Sequence, residues 1–179
     1  VKSQVATIKR ASGSLSQAGQ PGGSFDATGS VDMAKSAGQV QLKLVDLNQN
    51  VLRSFATAPL APNELKSISI NANITAKAEA SGDTSVNGDV EVANLLIVDP
   101  AGTLPKIPMT AKVNLDAGLT SKGMAEIRRL TGGIQLGQEK SGAFDVTGRY
   151  ELSQKTAQFT LRLVDLNQNA LRPFLASAL

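Results

Sequence analysis

Apolar and polar residues alternate along most of this chain. Between Lys66 and Ala80, the residues Ile68, Ile70, Ala72, Ile74, Ala76 and Ala78 are separated by Ser67, Ser69, Asn71, Asn73, Thr75 and Lys77. A period of two predicts an extended strand with one apolar face, and at about 3.3 Å per residue this one reaches roughly 45–50 Å. Val86, Val90, Val92, Leu96 and Val98 predict a second long strand, and Ile107, Met109, Ala111, Val113, Leu115 and Ala117 a third. Pro100, Gly102 and Pro105 separate those two. Nearer the start, Phe25, Ala27, Val31 and Met33 form one alternating set and Val40, Leu42 and Leu44 another. Val1 to Ser14 carries Val5, Ala6 and Ile8 in mixed phase and is read as a further strand, followed by a flexible turn from Ser16 to Ser24.

The pattern recurs. Ala6 to Leu60 aligns without gaps on Ala125 to Leu179, with about 22 of 55 positions identical, which is internal repetition. Phe144, Val146, Tyr150 and Leu152 match the set at Phe25, while Phe159, Leu161 and Leu163 match the set at Val40. The chain divides into residues 1–60 as a first copy (three strands and a helix), 61–124 as three intervening strands, and 125–179 as the second copy. One continuous structural unit is expected.

After each copy's third strand the period lengthens. Leu47, Val51, Leu52 and Phe55, like Leu166, Ala170, Leu171 and Phe174, recur at three- and four-residue spacing and predict a short amphipathic helix. Asn48 or Asn50, and Asn167 or Asn169, are placed to cap those helices, and Pro173 either puts the second start close to Asn169 or kinks the helix there. Asp46 and Asp165 precede the helices, where a carboxylate suits the positive helix end. Pro59 and Pro62 are expected to stop the first helix. The predicted fold class is mainly β: a long antiparallel meander of nine strands, curled into a groove, with two short helices.

Composition narrows the chemistry. Aromatics are only 3% of the 179 residues, with no Trp, so the apolar face is built from aliphatic side chains. His and Cys are both absent, which removes the commonest general base, the commonest metal ligand and any thiolate nucleophile. No catalytic residue, cofactor or metal site is therefore expected. Asp83 to Gly88 opens like a calcium loop, but Asn94 stands where the closing Glu belongs, so a hairpin turn is the reading. Net charge is +3 without a basic stripe, which argues against nucleic acid. No apolar run is long enough to span a bilayer, so membrane contact is expected only through segments outside this chain.

The words LxLxDLNQNxLRPFLA (from Leu161), FDVTGxYEL (from Phe144) and the segment from Ile107 to Leu136 resemble the periplasmic repeat region of AsmA-like proteins. That resemblance implies a long β-sheet rolled into a groove, in the periplasm or envelope of a Gram-negative-type bacterium, that shields phospholipid acyl chains. Leu42, Leu44, Ile68, Ile70, Ile74, Val90, Val92, Val113, Leu115, Leu161 and Leu163 would line it. Two readings follow: a non-enzymatic lipid-binding or transfer module, or a structural envelope or extracellular subunit that self-associates through its sheet edges. Whether a second protein layer covers the aliphatic face decides between an open groove and an ordinary sandwich core.

Overall fold

The computed structural model describes residues 4–104 and 106–167. Nine antiparallel strands follow one another in space in the order of the sequence. They are β1 (Val5–Gln17), β2 (Gln20–Asp32), β3 (Ala37–Asn48), β4 (Glu64–Ala78), β5 (Thr84–Val98), β6 (Met109–Leu119), β7 (Met124–Leu136), β8 (Glu139–Glu151) and β9 (Thr156–Val164). Among the described residues the sheet is open, with β1 and β9 as its edges. One helix, α1 (Gln49–Leu60), interrupts the meander between β3 and β4. The second expected helix falls outside the described residues.

The repetition is structural as well as verbal. β1, β2 and β3 begin 119 residues before β7, β8 and β9. In the first hairpin Lys9 and Arg10 together oppose Thr28, and in the second Arg128 and Arg129 together oppose Thr147. Two residues against one is a β-bulge, and it explains the mixed phase of the first strand. The expected flexible turn at Ser16 to Ser24 is corrected: the strands continue through it, leaving only Ala18 and Gly19 between them. Both have positive φ, 51° and 78°, the conformation that a two-residue hairpin turn demands.

The helix begins where Asn48 caps it. The Asn48 side chain accepts a hydrogen bond from the Asn50 amide at 3.0 Å, while the Asn50 side chain donates to the Pro21 carbonyl at 2.8 Å. Asn48 is thus the cap, and Asn50 ties the first turn to β2. Three expectations about this region are corrected. Leu47 belongs to β3; Phe55 lies one residue off the inward stripe and is 75% exposed; and Pro59 lies within the last turn, which ends at Leu60. The inward stripe is Leu52, Ala56 and Leu60, a spacing of four that keeps one face toward the sheet. These pack on Leu65, Ile97 and Leu104, the densest apolar cluster of the described residues.

Asp46 lies two residues before the helix cap Asn48. Its φ of 50° places it in a bulge of β3, where Val45 and Asp46 together oppose Asn71. Its amide donates to the Asn71 side chain at 3.0 Å. Asp165, the equivalent in the second copy, has the same φ of 50°. A short polar side chain tolerates this left-handed conformation better than most residues.

Gly22 is buried beneath α1, and a Cβ there would overlap the Val51 side chain. Gly22→Ala should therefore destabilise the protein by about 1–3 kcal/mol, the usual range for overpacking. A urea midpoint unchanged from the parent would contradict this packing.

Candidate functional site: an uncovered aliphatic face

Because directly opposed residues of a sheet share a face, the register assembles rows that run across all nine strands. One row is Ala11, Ala27, Leu42, Ile74, Gly88, Leu115, Leu130, Val146 and Leu161. The next is Gly13, Phe25, Leu44, Ala72, Val90, Val113, Gly132, Phe144 and Leu163. A third is Ile8, Gly29, Val40, Ala76, Val86, Ala117, Ile127, Gly148 and Phe159. No position in these three rows carries a polar side chain. A further partial row joins Leu47, Ile70, Val92, Ala111 and Ile134.

Ten of the eleven residues expected to line an apolar surface fall in these rows and share one face. Ile68 is on the same face but packs against the cluster under α1, so it belongs to the roofed end. Sequence reading passed over the rings that complete the rows. Phe25 lies across Gly13, Phe144 across Gly132 and Phe159 across Gly148, each ring where a Cβ would otherwise stand. One such pair, Gly13 with Phe25, recurs 119 residues later as Gly132 with Phe144, whereas Phe159 replaces Val40.

The opposite face is polar. One of its rows is Asp26, Lys43, Asn73, Asp89, Asn114, Thr131, Asp145 and Arg162. Ion pairs cross neighbouring strands there: Arg10 with Asp26 at 2.6 Å, Lys112 with Glu91 at 3.0 Å, and the Arg128 Nε with Asp116 at 2.9 Å. The Arg128 guanidinium holds the Asp116 carboxyl below its usual range. Such exposed pairs contribute little stability each, but they set the hydrophilic side apart.

Among the described residues only five apolar side chains are buried: Leu65, Ala72, Ile97, Leu104 and Met109. Four of them sit near α1 or the loop between β5 and β6, and among the described residues no second sheet or helix layer covers the rest. Toward β9 the face is most open, with Phe159 56%, Leu161 60% and Leu163 53% exposed. Of the described elements, only α1 and the loop after β5 roof the face, at one end.

Asp99 secures the roofed end. Its carboxylate accepts hydrogen bonds from the Leu104 amide at 2.9 Å, the Thr103 amide at 2.8 Å and the Thr103 hydroxyl at 2.8 Å. These donors fix the turn that delivers Leu104 to the cluster. At the other end, the hairpin expected over Asp83 to Gly88 is corrected: the turn between β4 and β5 spans residues 79–83, and Thr84 to Gly88 already belong to β5. The Asp83 carboxylate accepts from the Ser121 amide at 2.7 Å. That bond lowers the Asp83 pKa. Asn167 donates its amide to the Ser141 carbonyl at 2.7 Å, and Asn169 lies outside the described residues.

Among the described residues no group of three Asp or Glu is placed to hold a metal ion, and no helix is long and apolar enough to cross a membrane. Comparisons of the chain with protein-family models, with curated proteins and with solved structures return no match.

The Leu104 and Thr103 amides lower the Asp99 carboxyl to about 2. A pKa lowered by folding stabilises the loop above the unfolded value near 4, and that contribution is lost as pH falls toward 2. An NMR titration should give an Asp99 midpoint near 2, with the Leu104 amide losing protection over the same interval. A midpoint at the ordinary aspartate value would remove the clamp.

Proposed function

We propose that the aliphatic face is the working surface of a non-enzymatic lipid-binding module, which keeps acyl chains from water while its polar face stays solvated. The supporting observation is the run of three rows without a polar side chain, uncovered across most of nine strands. Contiguous apolar surface of this kind ordinarily marks an interaction site, and smooth aliphatic rows with few polar handles suit a flexible hydrocarbon better than a ligand that needs directional hydrogen bonds. Curling of the sheet along its twist would make the face a groove. The resemblance to AsmA-like repeat regions supports an envelope location, with phospholipid as cargo and membrane attachment through other segments.

The long free edges favour the alternative of self-association. Strand direction limits its form. β1 and β9 are both odd members of an antiparallel meander and run the same way, so joining β9 of one copy to β1 of the next would make a parallel pair. Every pair within this sheet is antiparallel. Simple edge-to-edge stacking of successive copies is thereby the weaker reading.

Lipid should be found by mass spectrometry in organic extracts of the purified protein, and a pyrene-labelled phospholipid should bind saturably. Ile74→Asp puts a charge in the middle of a row and should weaken that binding about 10-fold or more, equivalent to about 1.4 kcal/mol. Asn73→Asp, on the polar face, should leave it unchanged. No extractable lipid together with equal binding by the two folded variants would sink the proposal.

A further inference from the structure

The two copies differ in what lies beyond their third strand. β3 has β4 on its far side, whereas among the described residues no strand pairs with the far side of its equivalent β9. In the first copy Leu44 lies opposite Ala72, Leu42 opposite Ile74, Gln41 opposite Thr75 and Val40 opposite Ala76. The corresponding β9 residues are Leu163, Leu161, Thr160 and Phe159, and the three apolar ones are more than half exposed.

The edge keeps the shape of an occupied one. Asp46 occupies its left-handed bulge while its amide donates to Asn71 of β4, and Asp165 has the same φ of 50° with β9 at the sheet edge. The contact that follows is repeated too. Leu47 lies against the backbone of Gly23, and Leu166 against that of Gly142. β9 ends at Val164, whereas β3 runs on to Asn48 by pairing Leu47 and Asn48 with Ile70 and Ser69 of β4. β9 carries little of the usual protection of an edge, with Arg162 as its one charged residue. It contains no proline and no bulge against β8, and all nine of its residues are exposed.

We infer that the open edge of β9 is a docking site for an extended strand of β4's chemistry, supplied by a protein partner and added antiparallel in the register that β4 takes on β3. The partner strand would alternate aliphatic residues with Asn, Ser or Thr. Its aliphatic side chains would extend the rows at Leu161, Leu163 and Phe159. An amide side chain at the place of Asn71 would accept the Asp165 N–H, as Asn71 accepts that of Asp46. Backbone pairing supplies affinity in this mode of recognition, and the alternate side chains supply register. The site stands on the repeat alone and does not depend on the lipid reading.

The chain has no cysteine, so disulfide trapping reads the register cleanly. A synthetic peptide with the sequence of residues 64–78, monomeric by light scattering, is titrated against the full chain carrying Thr160→Cys. Saturable binding at one peptide per chain is expected by fluorescence anisotropy. Peptide carrying Thr75→Cys should cross-link about 10-fold faster than peptide carrying Asn73→Cys, which sits two residues out of register. A peptide of the same composition with its alternation scrambled should not bind. Absence of saturable binding up to millimolar peptide, equal cross-linking at the two positions, or a β9-to-β9 dimer that excludes the peptide would each overturn the inference.

Discussion

Register holds this molecule together. In a sheet whose side chains alternate faces, slipping one strand by a single residue carries its whole aliphatic set to the wrong side. Here that constraint acts at eight successive interfaces, and three uninterrupted apolar rows show that it is met at each of them. A sheet without a facing layer cannot rely on a sandwich core to enforce alignment. Cross-strand neighbours on the aliphatic face and ion pairs on the polar face must do so instead. Phenylalanines laid over glycines contribute here, because each ring covers backbone that a glycine leaves bare.

The bulges are part of the same solution. An unpaired extra residue ordinarily reverses the faces of everything beyond it, unless the two residues of the bulge share one partner. That is the arrangement at Lys9–Arg10, at Arg128–Arg129 and at Val45–Asp46. Each bulge puts two consecutive residues off the aliphatic face and resumes the alternation afterwards, with Ala11, Leu130 and Leu47 back in the rows. The same device in β4 and β5 brings Leu65 and Ile97 under α1. A strongly one-sided strand can thus contain two adjacent charged residues without losing its apolar face.

Strand order, the one-sided face and the repeat were legible because period-two alternation is a local signal, written in the 15 residues of β4 as clearly as in any others. A helix cap at Asn48 or Asn50 was legible for the same reason, and the fold chooses Asn48. The inward stripe of α1 was not. The helix starts at Gln49, after a bulge, and that start decides that Leu52, Ala56 and Leu60 face the sheet while Phe55 does not. Asp46 looked like a helix-terminus carboxylate because its backbone conformation depends on β4, a strand 25 residues away whose Asn71 receives its amide. The uncovered state of the aliphatic face was equally out of reach, since alternation reads the same under a second layer as without one. Asp99 gave no sign of its clamp, because its partners Thr103 and Leu104 are ordinary loop residues until the turn forms.

A meander that wires every strand only to its sequence neighbours also has a kinetic character. Apart from α1, which reaches β1 to β4, Ile97 of β5 and Leu104 beyond it, the main contacts of the described chain join strands that are neighbours in sequence. Loop-closure entropy is then paid one short turn at a time, so ordering can begin at any hairpin and spread outward, as in linear repeat arrays. Unfolding should proceed by fraying inward from the β9 margin, the one farther from α1, leaving the strands beneath the helix as the last to let go.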